Sequence, residues 1–236
     1  MTRTTNARIA GFTFLFYIAV AFPSLVLMNR ATAGDGLAAQ LAHVAEHASD
    51  VRLAILLTLL SCFSAVVLAV TLYGITRDED HELATLVMAA RLAEGVLGAI
   101  GIPSTLGLLW LATAASGAGT AGAPDLATTN TLAALYLMPP QGAMIGAPFF
   151  ALGSLTFSYL LLRGRMVPAP LAWIGVLASA LVVVCAPLQL AGFLSGPITT
   201  YMWLPMLVFE VPLGLWLLIK GVAAPATIPR RGASTG

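Results

Sequence analysis

Charge is what this chain has least of. Only 9% of its 236 residues are Asp, Glu, Lys or Arg, where a soluble domain carries about 25%. That leaves too little polar surface to cover a soluble fold of this length. The formal net charge is +1, and no basic stripe or aromatic stacking motif is present, so nucleic acid is excluded as a partner. Cysteine is scarce too. Cys62 and Cys185 both lie deep in apolar runs, where each reads as a small buried hydrophobe rather than half of a disulfide framework. A phosphate-binding glycine loop, a dinucleotide fingerprint, a nucleophile elbow and a CxxC pair are all missing. The apolar runs hold no histidine pair for haem and no arginine-rich voltage-sensor pattern. No cofactor and no resident metal is expected.

What the chain does have is apolar length, with 59% of its residues hydrophobic. Backbone groups cannot face lipid unpaired, so an apolar stretch of about 20 residues spans a bilayer as a helix. Six such stretches run roughly over Ala7–Met28, Val51–Ile75, Ala84–Ala112, Thr131–Leu162, Pro170–Phe193 and Thr199–Lys220. The third and fourth are long enough to tilt, bend or extend past the hydrocarbon. The fold class expected is an all-α, polytopic transmembrane bundle of about six spans. Residues 1–222 form one integral-membrane domain, and residues 223–236 a disordered cytoplasmic tail containing Pro, Gly and Ser.

Basic residues orient the bundle. With the N-terminus inside, the cytoplasmic segments carry Arg3, Arg8, Arg77, Arg163, Arg165, Lys220, Arg230 and Arg231, while the outer segments carry Arg30 and Arg52. This asymmetry places both termini in the cytoplasm, and the protein in the cell membrane as a multi-pass chain. Ala31-Thr32-Ala33 resembles a signal-peptide cleavage site, but the preceding apolar run is longer than a secretory h-region, so an uncleaved first helix is expected. In the first outer loop, Leu37, Leu41, Val44 and Ala48 recur at helical spacing, which predicts a short amphipathic helix on the outer surface. Within it, His43-Val44-Ala45-Glu46-His47 fits the H-x-x-E-H pattern of inverted zinc proteases. A zinc site needs a third ligand and a walled cleft, and this short loop offers little beyond Asp35 and Asp50. The segment therefore reads as the polar face of a surface helix, and Arg77–Glu82 as a solvated charged turn.

Ionisable residues at membrane depth are costly and normally face the bundle interior with a partner. Arg91 and Glu94 are three residues apart in the third segment, on one helix face. Glu94 lies about ten residues, or ~15 Å, into its span. Glu210 lies at similar depth in the last segment. Two carboxylates and one guanidinium suggest one cluster, with a net charge of −1 unless one carboxylate carries a proton. Proline adds to this picture. Pro23, Pro103, Pro139, Pro140, Pro148, Pro187, Pro205 and Pro212 lie within the apolar segments, and each frees a backbone carbonyl. Pro139-Pro140 should break the fourth helix beside Gln141. The ligand-binding set is then Arg91, Glu94, Gln141 and Glu210, with Glu94 and Glu210 as candidate catalytic groups. The competing reading is a charged lock between helices. Gly95, Gly98 and Gly101 allow a close helix approach beside Glu94. Tyr17, Tyr136, Tyr201 and Trp203 read as interface anchors.

The order of several pieces resembles a known family. They are Ala7-Arg8-Ile9-Ala10-Gly11 with Tyr17, Arg52-Leu53, Arg91-x-x-Glu94, Phe149-Phe150-Ala151-Leu152-Gly153 with Tyr159, and Glu210 followed by Leu215–Val222. Together they resemble the bacterial multispanning family known as domain of unknown function 4386. The resemblance covers all but the tail. It implies a multispanning architecture in which Arg91, Glu94 and Glu210 belong together, and it brings no activity. It also implies a polar group in the fourth helix, where this chain reads Met138-Pro139-Pro140-Gln141. The leading functional expectation is a polar pocket binding a small lipid-soluble molecule, or a proton coupled to one. The alternatives are an intramembrane acid–base enzyme on an apolar, isoprenoid-like substrate and a structural or regulatory membrane partner. The partners expected are the lipid bilayer, a small hydrophobic ligand and, for a six-helix transporter without repeats, a second copy in a homo-oligomer.

Overall fold

The computed structural model describes residues 2–116, 125–137 and 141–223. The tail beyond Ala223 and the Pro139-Pro140 break lie outside these residues. Among the described residues there are nine helices and no strands: α1 (Arg3–Ala31), α2 (Leu37–Glu46), α3 (Ala48–Thr76), α4 (His81–Ser116), α5 (Leu126–Tyr136), α6 (Gln141–Arg163), α7 (Ala169–Leu190), α8 (Ile198–Tyr201) and α9 (Leu204–Ile219). Six stretches are long and apolar enough to cross a membrane: α1, α3, α4, α6 from Met144, α7, and α8 with α9. The fourth apolar segment, over Thr131–Leu162, is two helices: α5 ends at Tyr136 and α6 starts at Gln141, on either side of the Pro139-Pro140 pair at which a break is expected.

The six spans close a ring. α1 packs on α3, α3 on α4, α4 on α6, α6 on α7, α7 on α9, and α9 returns to α1. In this order α4 stands opposite α9, and α1 opposite α6. Small residues set the closest approaches, as membrane helices without a hydrophobic drive require. Gly95 and Gly98 of α4 face Cys62 of α3, and Gly146 and Gly153 of α6 face α4. The centre is filled by large apolar side chains, including Phe14, Phe157, Leu160, Phe209 and Leu213. Phe14 and Phe157 stack at 6.5 Å across the ring.

A second, smaller core lies at the other end. There the amphipathic α2 lays Leu41 and Val44 against Leu108, Leu111 and Ala112 of α4, with Ala133 of α5. The predicted surface helix is therefore part of a cap on the ring rather than a helix lying free. At 36 residues, α4 is about 54 Å long, so it outruns a hydrocarbon core of about 30 Å and carries this cap.

Arg3 and Ala223, near the two ends of the described residues, are both tied down at the opposite end. Arg3 Nε donates to the Ile75 carbonyl at 2.8 Å, and the Ala223 N–H donates to the Met166 carbonyl at 3.0 Å. Here the turn over Arg77–Glu82 does more than solvate. Asp80 accepts the Leu83 N–H at 3.1 Å, capping α4, and accepts Arg163 Nη1 at 3.0 Å from α6. The Leu83 amide, and then Arg163, hold the Asp80 carboxyl below its ordinary range. A carboxylate whose affinity for protons falls on folding contributes stability above its unfolded value, about 4, and loses it as pH falls through the folded value. Acid unfolding of Asp80→Asn should therefore show a smaller loss of stability below about pH 4 than the parent chain. Circular dichroism against pH would read this, and identical acid limbs would remove Asp80 from the account.

Candidate functional site

Four helices each offer one face to the middle of the ring. α4 brings Arg91 and Glu94, three residues apart. α1 brings Phe14 and Tyr17 at the same spacing. α6 brings Phe150 and Ser154, four apart, and α9 brings Glu210. Residues three or four apart share a helix face, so seven side chains converge on one level.

Arg91 is the hub and is 1% exposed. Its Nη1 donates to Glu94 Oε2 at 2.9 Å, and its Nη2 donates to Ser154 Oγ at 2.8 Å. Glu210 Oε1 stands 3.7 Å from the same Nη2. Tyr17 Oη donates to Glu94 Oε1 at 3.0 Å. The guanidinium carbon lies 4.7 Å from the centre of the Phe150 ring and 5.6 Å from that of Phe14. Ring faces attract a desolvated cation, and Arg is the side chain that stacks this way while holding a carboxylate. Among the described residues, Arg91 Nε and Ser158 Oγ are buried without a hydrogen-bond partner.

Arg91, Glu94 and Glu210 thus come together as the sequence expects. Arg91 to Glu210 is a bridge between opposite helices, made by side chains where the backbones of α4 and α9 do not pack. Gln141 is different: it opens α6, but its side chain lies outside the described residues. Tyr17 corrects the sequence expectation, since it belongs to the cluster and not to an interface. Its depth is the available signal, because it sits 14 residues into α1, ~21 Å from Arg3. Ser154 and Phe150 carry no such signal.

Depth is consistent across the set. Counted from the end that holds Arg3, Asp80, Arg163 and Lys220, the cluster lies about 15–20 Å in. Towards the cap the buried stripes then stop. Between Val20 and Ala31, α1 buries only Ser24. α3 buries nothing between Ala54 and Ser64, and α4 nothing between Gly95 and Leu108. For about 18 Å along α4, a belt of half-buried and exposed residues separates the charged cluster from the cap.

A closed ring of six apolar spans around a buried charged cluster defines a polytopic helical membrane protein. Within that class, residues 9–221 match the family model described as Domain of unknown function (DUF4386), and the chain belongs to that family. No curated protein and no solved structure matches it.

Proposed function

We propose that this protein binds a small lipid-soluble molecule in the belt, coupled to a proton held by the Arg91–Glu94–Glu210 cluster. One observation carries the proposal. Two buried carboxylates, from α4 and α9, share one guanidinium. A buried set is costly unless its charges balance, and this one balances with a single added proton. Tyr17 and Ser154 extend the hydrogen bonds to neighbouring helices. The belt residues beside these polar groups are mostly apolar, the composition with which small-molecule sites are commonly lined. Glu210 is the proposed titrating group and Arg91 the anion-holding one. The basic residues at the Arg3 end support placing that end, and both termini, in the cytoplasm.

The experiment is infrared spectroscopy of the protein in lipid, with an apolar diazirine probe added to the same preparation. The parent chain should show the carbonyl stretch of one protonated carboxyl, lost in Glu210→Gln with the helix content intact. The probe should label Cys62 or Leu97, partly buried in the belt, ahead of Phe63 and Val96, which are 57% and 61% exposed. An unchanged carboxyl band in both Glu210→Gln and Glu94→Gln, or labelling that simply follows exposure, would sink the proposal.

The close boxing of Arg91 by Phe14 and Phe150 favours a second reading, a charged lock with no ligand. That reading predicts a loss of folding in Glu210→Gln and no label in the belt.

A further inference from the structure

The cap carries a group that the charged cluster does not use. On α2 and its C-cap residue, one ligand atom each from His43, Glu46 and His47 lies within 4.8 Å of the other two. The spacing accounts for it: residues at i, i+3 and i+4 share one helix face. The two imidazole rings are parallel, 2° apart, with centres at 5.6 Å.

Two further details fit a ligand set. His47 Nδ1 lies 3.0 Å from the backbone carbonyl of His43. A carbonyl accepts only, so this nitrogen carries the proton and Nε2 keeps its lone pair. Ligating histidines are commonly held this way, with the other ring nitrogen donating to a carbonyl or carboxylate. His43 Nδ1 is buried without a partner among the described residues, so no hydrogen bond at that nitrogen withholds the ring's lone pair from an ion. The opposite face of α2 is fixed, because Leu41 and Val44 are buried against α4. The polar face is therefore turned away from the cap core, where an ion can reach it.

From this geometry we infer that His43, Glu46 and His47 form a divalent transition-metal site on the cap. Two neutral imidazoles and one carboxylate suit Zn²⁺, Cu²⁺ or Ni²⁺ better than Mg²⁺ or Ca²⁺, which take all-oxygen sets. Metal–ligand distances near 2.0–2.2 Å need the three ligand atoms to draw together by rotation about their own side-chain bonds. Water completes the coordination. The site spans more than one turn of a 10-residue helix, a length that is marginal on its own. A bound ion would clip that turn and stiffen the cap over the belt.

The test is titration of Zn²⁺, and of Co²⁺ as a spectroscopic probe, into the full chain in detergent, purified without a histidine tag. One equivalent should bind, and Co²⁺ should give visible bands of nitrogen and oxygen ligation. His43→Asn and His47→Asn should each weaken binding about tenfold or more, and Glu46→Gln by less. Acidification should weaken it in the parent chain, because protons compete for the imidazoles. Circular dichroism of each variant checks that α2 and the bundle remain folded. Equal affinity in the parent and in the His43→Asn/His47→Asn double variant overturns the assignment, as does the absence of a bound equivalent in the parent. Glu46→Gln, on the exposed side of α2, keeps the test decisive should a histidine variant fail to fold.

Discussion

Arg91→Met should unfold this protein more readily than any other single change at the cluster. Met is shorter than Arg, but it leaves a flexible apolar side chain beside Phe14 and Phe150 in place of the guanidinium. The substitution removes the charge that holds Glu94 at 2.9 Å and Glu210 at 3.7 Å. Two carboxylates then share a site in which neither residue is more than 7% exposed. Breaking a buried ion pair from one side costs about 3–5 kcal/mol, because the remaining charge stays buried. A cation over two rings adds up to about 2 kcal/mol of attraction that is also lost. Ser154 Oγ loses its donor as well, and its own O–H cannot replace an incoming hydrogen bond. The measurement is thermal or denaturant unfolding in detergent.

The triple variant Arg91→Met, Glu94→Gln, Glu210→Gln separates charge balance from packing. Removing a whole buried charged set in favour of neutral groups of similar volume is often neutral or stabilising. The triple variant should therefore recover most of the stability that Arg91→Met loses, while lacking the carboxyl band of the parent. If it stays as unstable as Arg91→Met, packing of the guanidinium between the rings holds the helices, and charge balance does not.

How much of this is legible in the sequence follows from the solvent. Lipid forces every span to pair its own backbone, so the runs at Ala7–Met28 or Pro170–Phe193 announce helices without help from periodicity. The same solvent makes Arg91, Glu94 and Glu210 conspicuous, because charge at that depth is too costly to stand without a partner or a task. The ring order is not legible. In a soluble helix the exposed face is polar, whereas here lipid-facing Val96 and Ile100 are as apolar as buried Val87 and Leu108. With both faces apolar, nothing in the sequence says which neighbour a helix meets. Tyr17 is ambiguous for a related reason: tyrosine suits both a membrane interface and a buried donor, so its depth in α1 is the one sequence signal and its partner Glu94 decides. By sequence Arg163 is one more inner basic residue, but in the fold Asp80 and Glu79 tie it to the turn that opens α4. The apolar positions of α2 are readable because that helix has one polar and one apolar face.

Gly11→Ala should destabilise the ring far more than Gly214→Ala across the same helix contact. A Cβ built at Gly11 would stand 2.5 Å from the Leu218 nitrogen and 2.6 Å from the Gly214 carbonyl oxygen. Both are backbone atoms of α9, so no rotamer change relieves the clash. Carbon contacts settle near 3.5–4.0 Å, and α1 and α9 must part by about 1 Å to reach that. The converse substitution is softer. A Cβ at Gly214 meets the Leu15 side chain at 3.1 Å and the Gly11 carbonyl at 3.3 Å, and a side chain can yield. Overpacking typically costs about 1–3 kcal/mol and occasionally more. Gly11→Ala belongs at or above the top of that range, and Gly214→Ala near the bottom. Comparing the two unfolding midpoints in one detergent checks the order, and equal or reversed midpoints would show that α1 and α9 slide past each other freely. The contact also reaches the charged cluster. Gly214 is one turn beyond Glu210 on α9, and Gly11 is three residues before Phe14 on α1. Parting the two helices there pulls Glu210 away from Arg91 and Phe14 away from the guanidinium together. The carboxyl band should then change in Gly11→Ala although no charged residue has been touched.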